Sequence, residues 1–406
     1  MPTLIKYVKS NDILIARYSS LGINFVNSLF FIKYFGLELF GIFAFYISIL
    51  KIVSIVGSFG SSLTSTRAFG VSFECKDNDL KQKQSVFASV VLFLSILVAI
   101  LSASILFMFS FISENDLLWF FMMAIFVSWI EFSVNVFRSN KKYILYYLAG
   151  SSLHVSIAIC VLIYISSNLN KIADSQIIFS LFISSLIVLM INFYYLFYKS
   201  KYYISFVRIG FMVNLFRTDF SAYITSILST MTGSFEVIIA RIFFGDLEAG
   251  IARMAFQLFY LITTPIGLVN MESHNLVNSA SRDRYKRIYK MMQIKSLKMM
   301  LYGFVPFLIY LGILSNELMM QDQIYLLILM IAAYFIEVFI GPSNLFVHLS
   351  NRTISIFYGT LISIIIRFFI LYCAYYYGAY EIFIIILSVA SSNIIVKTIT
   401  RAKIKL

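Results

Sequence analysis

Arg17, Lys51, Arg253 and Arg367, together with Glu131, Glu236 and Glu337, lie inside stretches of chain that are otherwise apolar. A charge in such surroundings is disfavoured by on the order of several kcal/mol unless it is paired or hydrated, so these residues mark either ion pairs or a functional path. Two further sets have helical spacing. Arg17, Ser20, Asn24 and Asn27 stand at i, i+3, i+7 and i+10, and Arg253, Gln257, Tyr260 and Thr264 at i, i+4, i+7 and i+11, so each set occupies one face of a helix. Those faces either line an aqueous interior or pack as ordinary polar contacts between helices. Arg17 and Arg253 lie about one turn from the ends of their stretches, within snorkelling distance of water, whereas Lys51, Glu131, Glu337 and Arg367 lie deeper. Glu236 has Arg241 and Arg253 as near partners in sequence. His154 falls near the middle of its stretch, as a hydrogen-bonded packing residue or as a proton site.

The elements that hold these residues are membrane spans. The chain of 406 residues is 60% hydrophobic, 17% aromatic and 13% charged, with mean hydropathy +0.89. That leaves too few polar residues to solvate a globule of this size. Apolar runs able to cross roughly 30 Å of hydrocarbon lie near 13–35, 41–64, 85–112, 117–137, 144–166 and 177–198, then near 219–240, 250–270, 297–315, 324–349, 353–377 and 381–397. The expected fold is therefore an all-α polytopic membrane protein of twelve transmembrane helices. The first run follows Lys6 and Lys9 as a signal peptide would, but it continues to about Phe35 with no small-residue cleavage site, so it is read as the first span.

The net charge of +13 does not indicate nucleic acid, because the basic residues sit between apolar runs. With both termini placed in the cytoplasm, Lys33, Lys171 and Arg241 fall on the outer side and Arg17, Lys51, Arg253 and Arg367 within spans. All the other Lys and Arg, of 32 in total, fall on the inner side. One inner connection, Glu272 to Lys298, is rich in Arg and Lys and is expected to lie as a basic helix along the anionic inner leaflet.

The two halves share a frame. Phe35-Gly36 followed by Gly41-Ile42 returns as Phe244-Gly245 followed by Gly250-Ile251, and Ser139-Asn140-Lys141 returns as Ser350-Asn351-Arg352. Each Gly pair reads as the turn of a helical hairpin. An even number of spans separates the copies, which implies two six-helix lobes, 1–198 and 219–406, joined by a basic cytoplasmic linker at 199–218. They are related by a parallel pseudo-two-fold repeat around a central cavity. Pro265, Pro306 and Pro342 are expected to kink spans of the second lobe.

Cys75, Cys160 and Cys373 are isolated and lack metal-ligand spacing, so neither a disulfide nor a metal is expected, and no cofactor motif is present. No Walker loop, HExxH or GxSxG occurs, and no long outer loop exists to house an enzymatic site. The expectation is a transporter and not an enzyme.

The opening hairpin, the segment Gly57-Ser58-Phe59-Gly60 with Arg67 after it, the mid-chain Phe244-Gly245 to Gly250-Ile251, and Gly341-Pro342 before Ser350-Asn351-Arg352 resemble the Wzx-type O-antigen flippases. These are a branch of the multidrug/oligosaccharidyl-lipid/polysaccharide exporter superfamily. The resemblance implies two six-helix lobes opening alternately to each side of a bacterial inner membrane. It implies movement of undecaprenyl-diphosphate-linked repeat units to the periplasmic leaflet, with a glycan polymerase and a chain-length regulator as partners beside membrane lipid. It also implies a cationic lumen, a role that here falls to Arg17, Lys51, Arg253 and Arg367, with Asn24, Asn27, Gln257 and Tyr260 as polar lining. Glu131, Glu236, Glu337 and His154 are left for ion coupling or charge pairing. The rival readings are an ion-coupled multidrug exporter of the same superfamily and a non-transporting scaffold of a glycan-assembly complex.

Overall fold

The computed structural model describes residues 2–61, 77–139, 142–167, 172–199, 202, 209–257, 285–317 and 353–376, with a few single positions elsewhere. The helices are α1 (Pro2–Gly57), α2 (Asp77–Met108), α3 (Glu114–Ser139), α4 (Tyr143–Tyr147) and α5 (Leu153–Ser166). They continue with α6 (Asp174–Phe193), α7 (Ile209–Phe244), α8 (Tyr285–Glu317) and α9 (Thr353–Tyr376), and a helical stretch occupies 246–257. A π turn, Leu148–Ser152, joins α4 to α5. The chain forms two compact units, Met1–Phe235 and Glu236–Leu406.

In the first unit, α1 is two helices in one. Gly36 has φ 85° and ψ 166°, outside helical geometry. A straight helix would separate Phe31 from Phe43 by about 18 Å at 1.5 Å per residue. Their rings instead stack with centroids 4.8 Å apart, and Phe31 also meets Phe40 at 5.7 Å. The chain therefore turns back at Gly36, where the positive φ favours glycine. Five stretches are long and apolar enough to cross a membrane: Ile15–Gly57, Gln84–Met108, Glu114–Arg138, Ile144–Ser166 and Asp174–Tyr198. With the first folded on itself, they coincide in position with the first six apolar runs. This is a multi-pass membrane protein.

Within this unit α3 lies at the centre, packed on α1, α2 and α6, while α5 closes between α6 and α1. Its composition explains the position, because Ala124, Ser128, Ser133 and Asn135 are small or polar and fully buried. Small residues let helix backbones approach closely without a water-driven hydrophobic force. Gly57 is so close to α3 that a Cβ there would lie 2.2 Å from Ser128 Oγ. By contrast, Leu92, Phe93, Ile96, Leu97, Ile100, Leu101 and Ile105 of α2 are exposed at helical spacing, forming a lipid-facing stripe. An aromatic core of Phe59, Phe87, Trp129, Phe132 and Phe137 fills the end of the unit near Gly57. Tyr223 of α7 joins it, its ring 4.9 Å from Phe59 and its hydroxyl donating to Val56 O.

In the second unit Gly245 has φ 107° and separates α7 from the stretch 246–257, so both hairpin glycines identified in the sequence adopt positive φ. Beside this turn Arg241 Nε donates to Asp246 Oδ1 at 2.6 Å. Partial burial raises the Glu248 carboxyl above the usual carboxylate range. α8 continues through Pro306, while Pro265 and Pro342 lie outside the described residues. The runs at 324–349 and 381–397, and most of 250–270, also lie almost wholly outside them. α8 begins at Tyr285 and includes Arg287, Lys290, Lys295 and Lys298, so from Tyr285 onward the basic connection is continuous with the helix that carries the apolar run 297–315. Among the described residues it is not a separate helix.

Candidate functional site

The first polar group joins the second arm of α1 to α3. Lys51 Nζ donates to Glu131 Oε2 at 2.8 Å, with the lysine side chain 45% exposed and the carboxylate 14%. Asn135, one turn beyond Glu131 on α3, directs Nδ2 toward Glu131 Oε1 at 2.9 Å, Glu131 O at 2.8 Å and Ser61 Oγ at 2.9 Å. Ser61 Oγ donates to Ser58 Oγ at 3.2 Å and to Glu131 O at 3.3 Å. A lysine so exposed would not face hydrocarbon, so the open side of this pair faces water. Sequence reading had marked Lys51 and Glu131 but not Asn135 and Ser61. The available signal was Glu131-x-x-x-Asn135, two polar residues one turn apart on a buried helix face.

The second group is the stripe on the first arm of α1, which meets α4, the π turn and α5. Ser20 Oγ donates to Tyr147 O at 3.1 Å and shares a short hydrogen bond with Ser152 Oγ. Asn27 Nδ2 donates to Ser156 Oγ at 2.8 Å. Asn24 Oδ1 is buried and has no hydrogen-bond partner among the described residues. Arg17, half-buried on the same face, approaches the Tyr147 hydroxyl. Part of this stripe is thus helix-to-helix bonding through hydroxyls, while Arg17 has no carboxylate within ion-pair distance among the described residues.

The third group lies in the second unit. Arg367 Nη1 of α9 donates to Glu236 Oε1 of α7 at 2.6 Å, and the two side chains are only 8% and 3% exposed. Arg241 or Arg253 was the expected partner of Glu236, and Arg367 is a partner that expectation did not include. Arg241 reaches Asp246 across the hairpin turn. Arg253 and Gln257 are half-buried on the stretch 246–257. Tyr260 and Glu337 lie outside the described residues. His154 is buried with Nε2 2.8 Å from Ser185 Oγ, which itself donates to Leu181 O. That arrangement is the hydrogen-bonded packing form of a membrane histidine.

No group of three or more His, Cys, Asp or Glu that could hold a metal occurs among the described residues. Cys160 and Cys373 are free thiols.

No protein-family model and no curated sequence matches the chain. Solved structures do match. An inward-facing multidrug resistance MATE family transporter of the MOP superfamily aligns over 96% of this chain and 98% of its own, with TM-score 0.64 and 12% identity. An outward-facing MATE transporter of that superfamily aligns over 98% and 94%, with TM-score 0.59 and 12% identity. A MOP superfamily transporter from Pyrococcus furiosus, described as having a binding pocket of reverse polarity that suggests a different function, aligns over 98% and 94% with TM-score 0.62 and 12% identity. Identity this low carries the architecture and not the cargo. The chain has the fold of the MATE transporters of the MOP superfamily.

Proposed function

We propose that this chain is a flippase that carries undecaprenyl-diphosphate-linked O-antigen or related polysaccharide repeat units from the cytoplasmic to the periplasmic leaflet of a bacterial inner membrane. The observation that carries the reading is Arg17. Lys51 and Arg367 are engaged by carboxylates, whereas Arg17 has none within ion-pair distance among the described residues. A guanidinium donates paired hydrogen bonds to a diphosphate, so Arg17 is the cation placed to receive the headgroup while the polyprenyl tail stays in lipid. Asn24 and Asn27 of the first unit, and Arg253, Gln257 and Tyr260 by their sequence pattern, are the polar residues offered to the sugars. Solved structures of this fold in inward- and outward-facing conformations support alternating access. Twelve spans in two six-helix lobes with both termini cytoplasmic, and a polymerase and chain-length regulator downstream, complete the proposal.

The reading is tested in the native host. Cells lacking the chain should accumulate lipid-linked repeat units on the cytoplasmic leaflet and lose surface polysaccharide; unchanged surface polysaccharide would contradict the proposal. Arg17→Gln should lower leaflet transfer of the lipid-linked substrate roughly tenfold, equivalent to about 1.4 kcal/mol of lost headgroup binding. Its unfolding temperature should stay near that of the wild type, since no carboxylate is orphaned. Transfer measured beside thermal unfolding checks both halves of that expectation.

A second reading, ion-coupled multidrug export, is favoured by the two carboxylates that neutralise Lys51 and Arg367 and by the multidrug transporters that share the fold. Drug resistance on expression, with surface polysaccharide unaffected, would select it.

A further inference from the structure

The fifth apolar run does not form one helix. α4 ends at Tyr147, Gly150 has φ −84° and ψ −117°, outside helical geometry, and α5 starts at Leu153. The Leu153 amide donates to Leu148 O, five residues back in place of the usual four. Side chains of two other helices serve carbonyls of this break. Ser20 Oγ of α1 donates to Tyr147 O at 3.1 Å, and Asn192 Nδ2 of α6 donates to Ala149 O at 3.4 Å. The second bond is long, and Asn192 Oδ1, in a fully buried residue, has no hydrogen-bond partner among the described residues. α1 therefore holds the break more firmly than α6 does.

Close packing does not require the glycine in the break. A Cβ on Gly150 would meet only Val134 Cγ1, at 3.8 Å, which is ordinary contact, whereas a Cβ on Gly57 would collide with α3. Glycine within a helical segment costs stability relative to alanine and supplies backbone freedom. That freedom falls where a short helix joins a long one.

The short helix also carries the group that faces Arg17. Arg17 approaches the Tyr147 hydroxyl, and the Tyr146 ring, 4.8 Å from that of Tyr147, lies under Arg138 Cζ at 5.5 Å. Neither arginine has a carboxylate within ion-pair distance among the described residues. α4 packs on α1 and α3, the helices that bear these arginines, and meets both cations through neutral phenol rings. Such contacts are weaker than a guanidinium's bonds to an anion. We propose that α4 is a flap hinged at Gly150 and that Tyr147 is the positioning residue that keeps it closed against Arg17.

The flap would regulate access to the headgroup cation of the proposed function. It rests on that reading for its ligand alone, because its motion is measured without one. The experiment is hydrogen exchange of the purified full chain in detergent, comparing the backbone amides of 144–149 with those of 155–166. Tyr147→Phe and Arg17→Gln, which each remove one side of the contact, should quicken exchange at 144–149 roughly fivefold and leave 155–166 unchanged. Gly150→Ala, for which there is room, should slow exchange at 144–149 roughly fivefold, since alanine favours a continuous helix. Unchanged exchange at 144–149 in Tyr147→Phe overturns the proposal. So does quickening that spreads equally to 155–166, and so does Gly150→Ala that leaves 144–149 unchanged or faster. Undecaprenyl diphosphate added in mixed micelles should quicken 144–149 in the wild type. If the variants behave as stated and this lipid has no effect, the flap stands and the diphosphate cargo falls.

Discussion

Arg367→Met is expected to destabilise the folded chain by about 3–5 kcal/mol, the cost of leaving a buried charge without its partner. Glu236, 3% exposed at the side chain and 2.6 Å from the guanidinium, would lose that partner. Two charges in apolar surroundings offset much of their desolvation through each other. The double variant Arg367→Met with Glu236→Leu should therefore recover most of the loss, because no charge remains to be buried. Thermal unfolding of purified protein in detergent, followed by intrinsic fluorescence, measures both variants. A single variant that unfolds at the wild-type temperature would contradict the pairing. This expectation also changes how transport data are read. Loss of transfer in an Arg367 variant reports damage to the second unit before it reports substrate contact, whereas Arg17 carries no such confusion.

The second large effect is expected at Gly57. A Cβ there would meet Ser128 Oγ at 2.2 Å, Ser128 Cβ at 2.8 Å and Ser95 Cα at 3.3 Å. The last of these is backbone, so α1, α2 and α3 all converge on this glycine. Gly57→Ala should cost about 1–3 kcal/mol through overpacking, and Gly57→Leu should leave no folded protein. Ser128→Gly removes both Ser128 atoms and costs about 1 kcal/mol by itself as a helix glycine. In combination with Gly57→Ala it should cost less than the sum of the single changes, which a double-mutant cycle in unfolding temperature resolves. Strict additivity would mean that the close approach does not exist.

Much of the fold was legible where its signals are local. Gly36 and Gly245 were identified from flanking Phe residues and the following Gly-Ile, and both adopt positive φ. The apolar runs between Ile15 and Tyr198 were legible because crossing a membrane demands length and hydropathy that sequence displays directly. Partners were less legible. Lys51 and Glu131 are 80 residues apart, and Glu236 and Arg367 are 131 apart. Their place inside apolar runs marked all four as needing compensation, but which helix supplies it is set by packing order, which no local pattern encodes. The same holds for Ser20 and Asn27. Their shared face was visible, yet their partners Ser152 and Ser156 are inconspicuous hydroxyls on an apolar helix. The basic connection was read from its charge as a helix of its own, whereas from Tyr285 onward helix continuity across Lys298 makes it the start of α8.

The most direct test of the central claim is leaflet transfer in proteoliposomes containing the purified chain and a fluorescent undecaprenyl-diphosphate-linked oligosaccharide, with a bilayer-impermeant quencher reporting the outer leaflet. The account expects transfer well above protein-free vesicles, reduced roughly tenfold by Arg17→Gln in protein that remains folded. Equal transfer rates with and without the protein would contradict it.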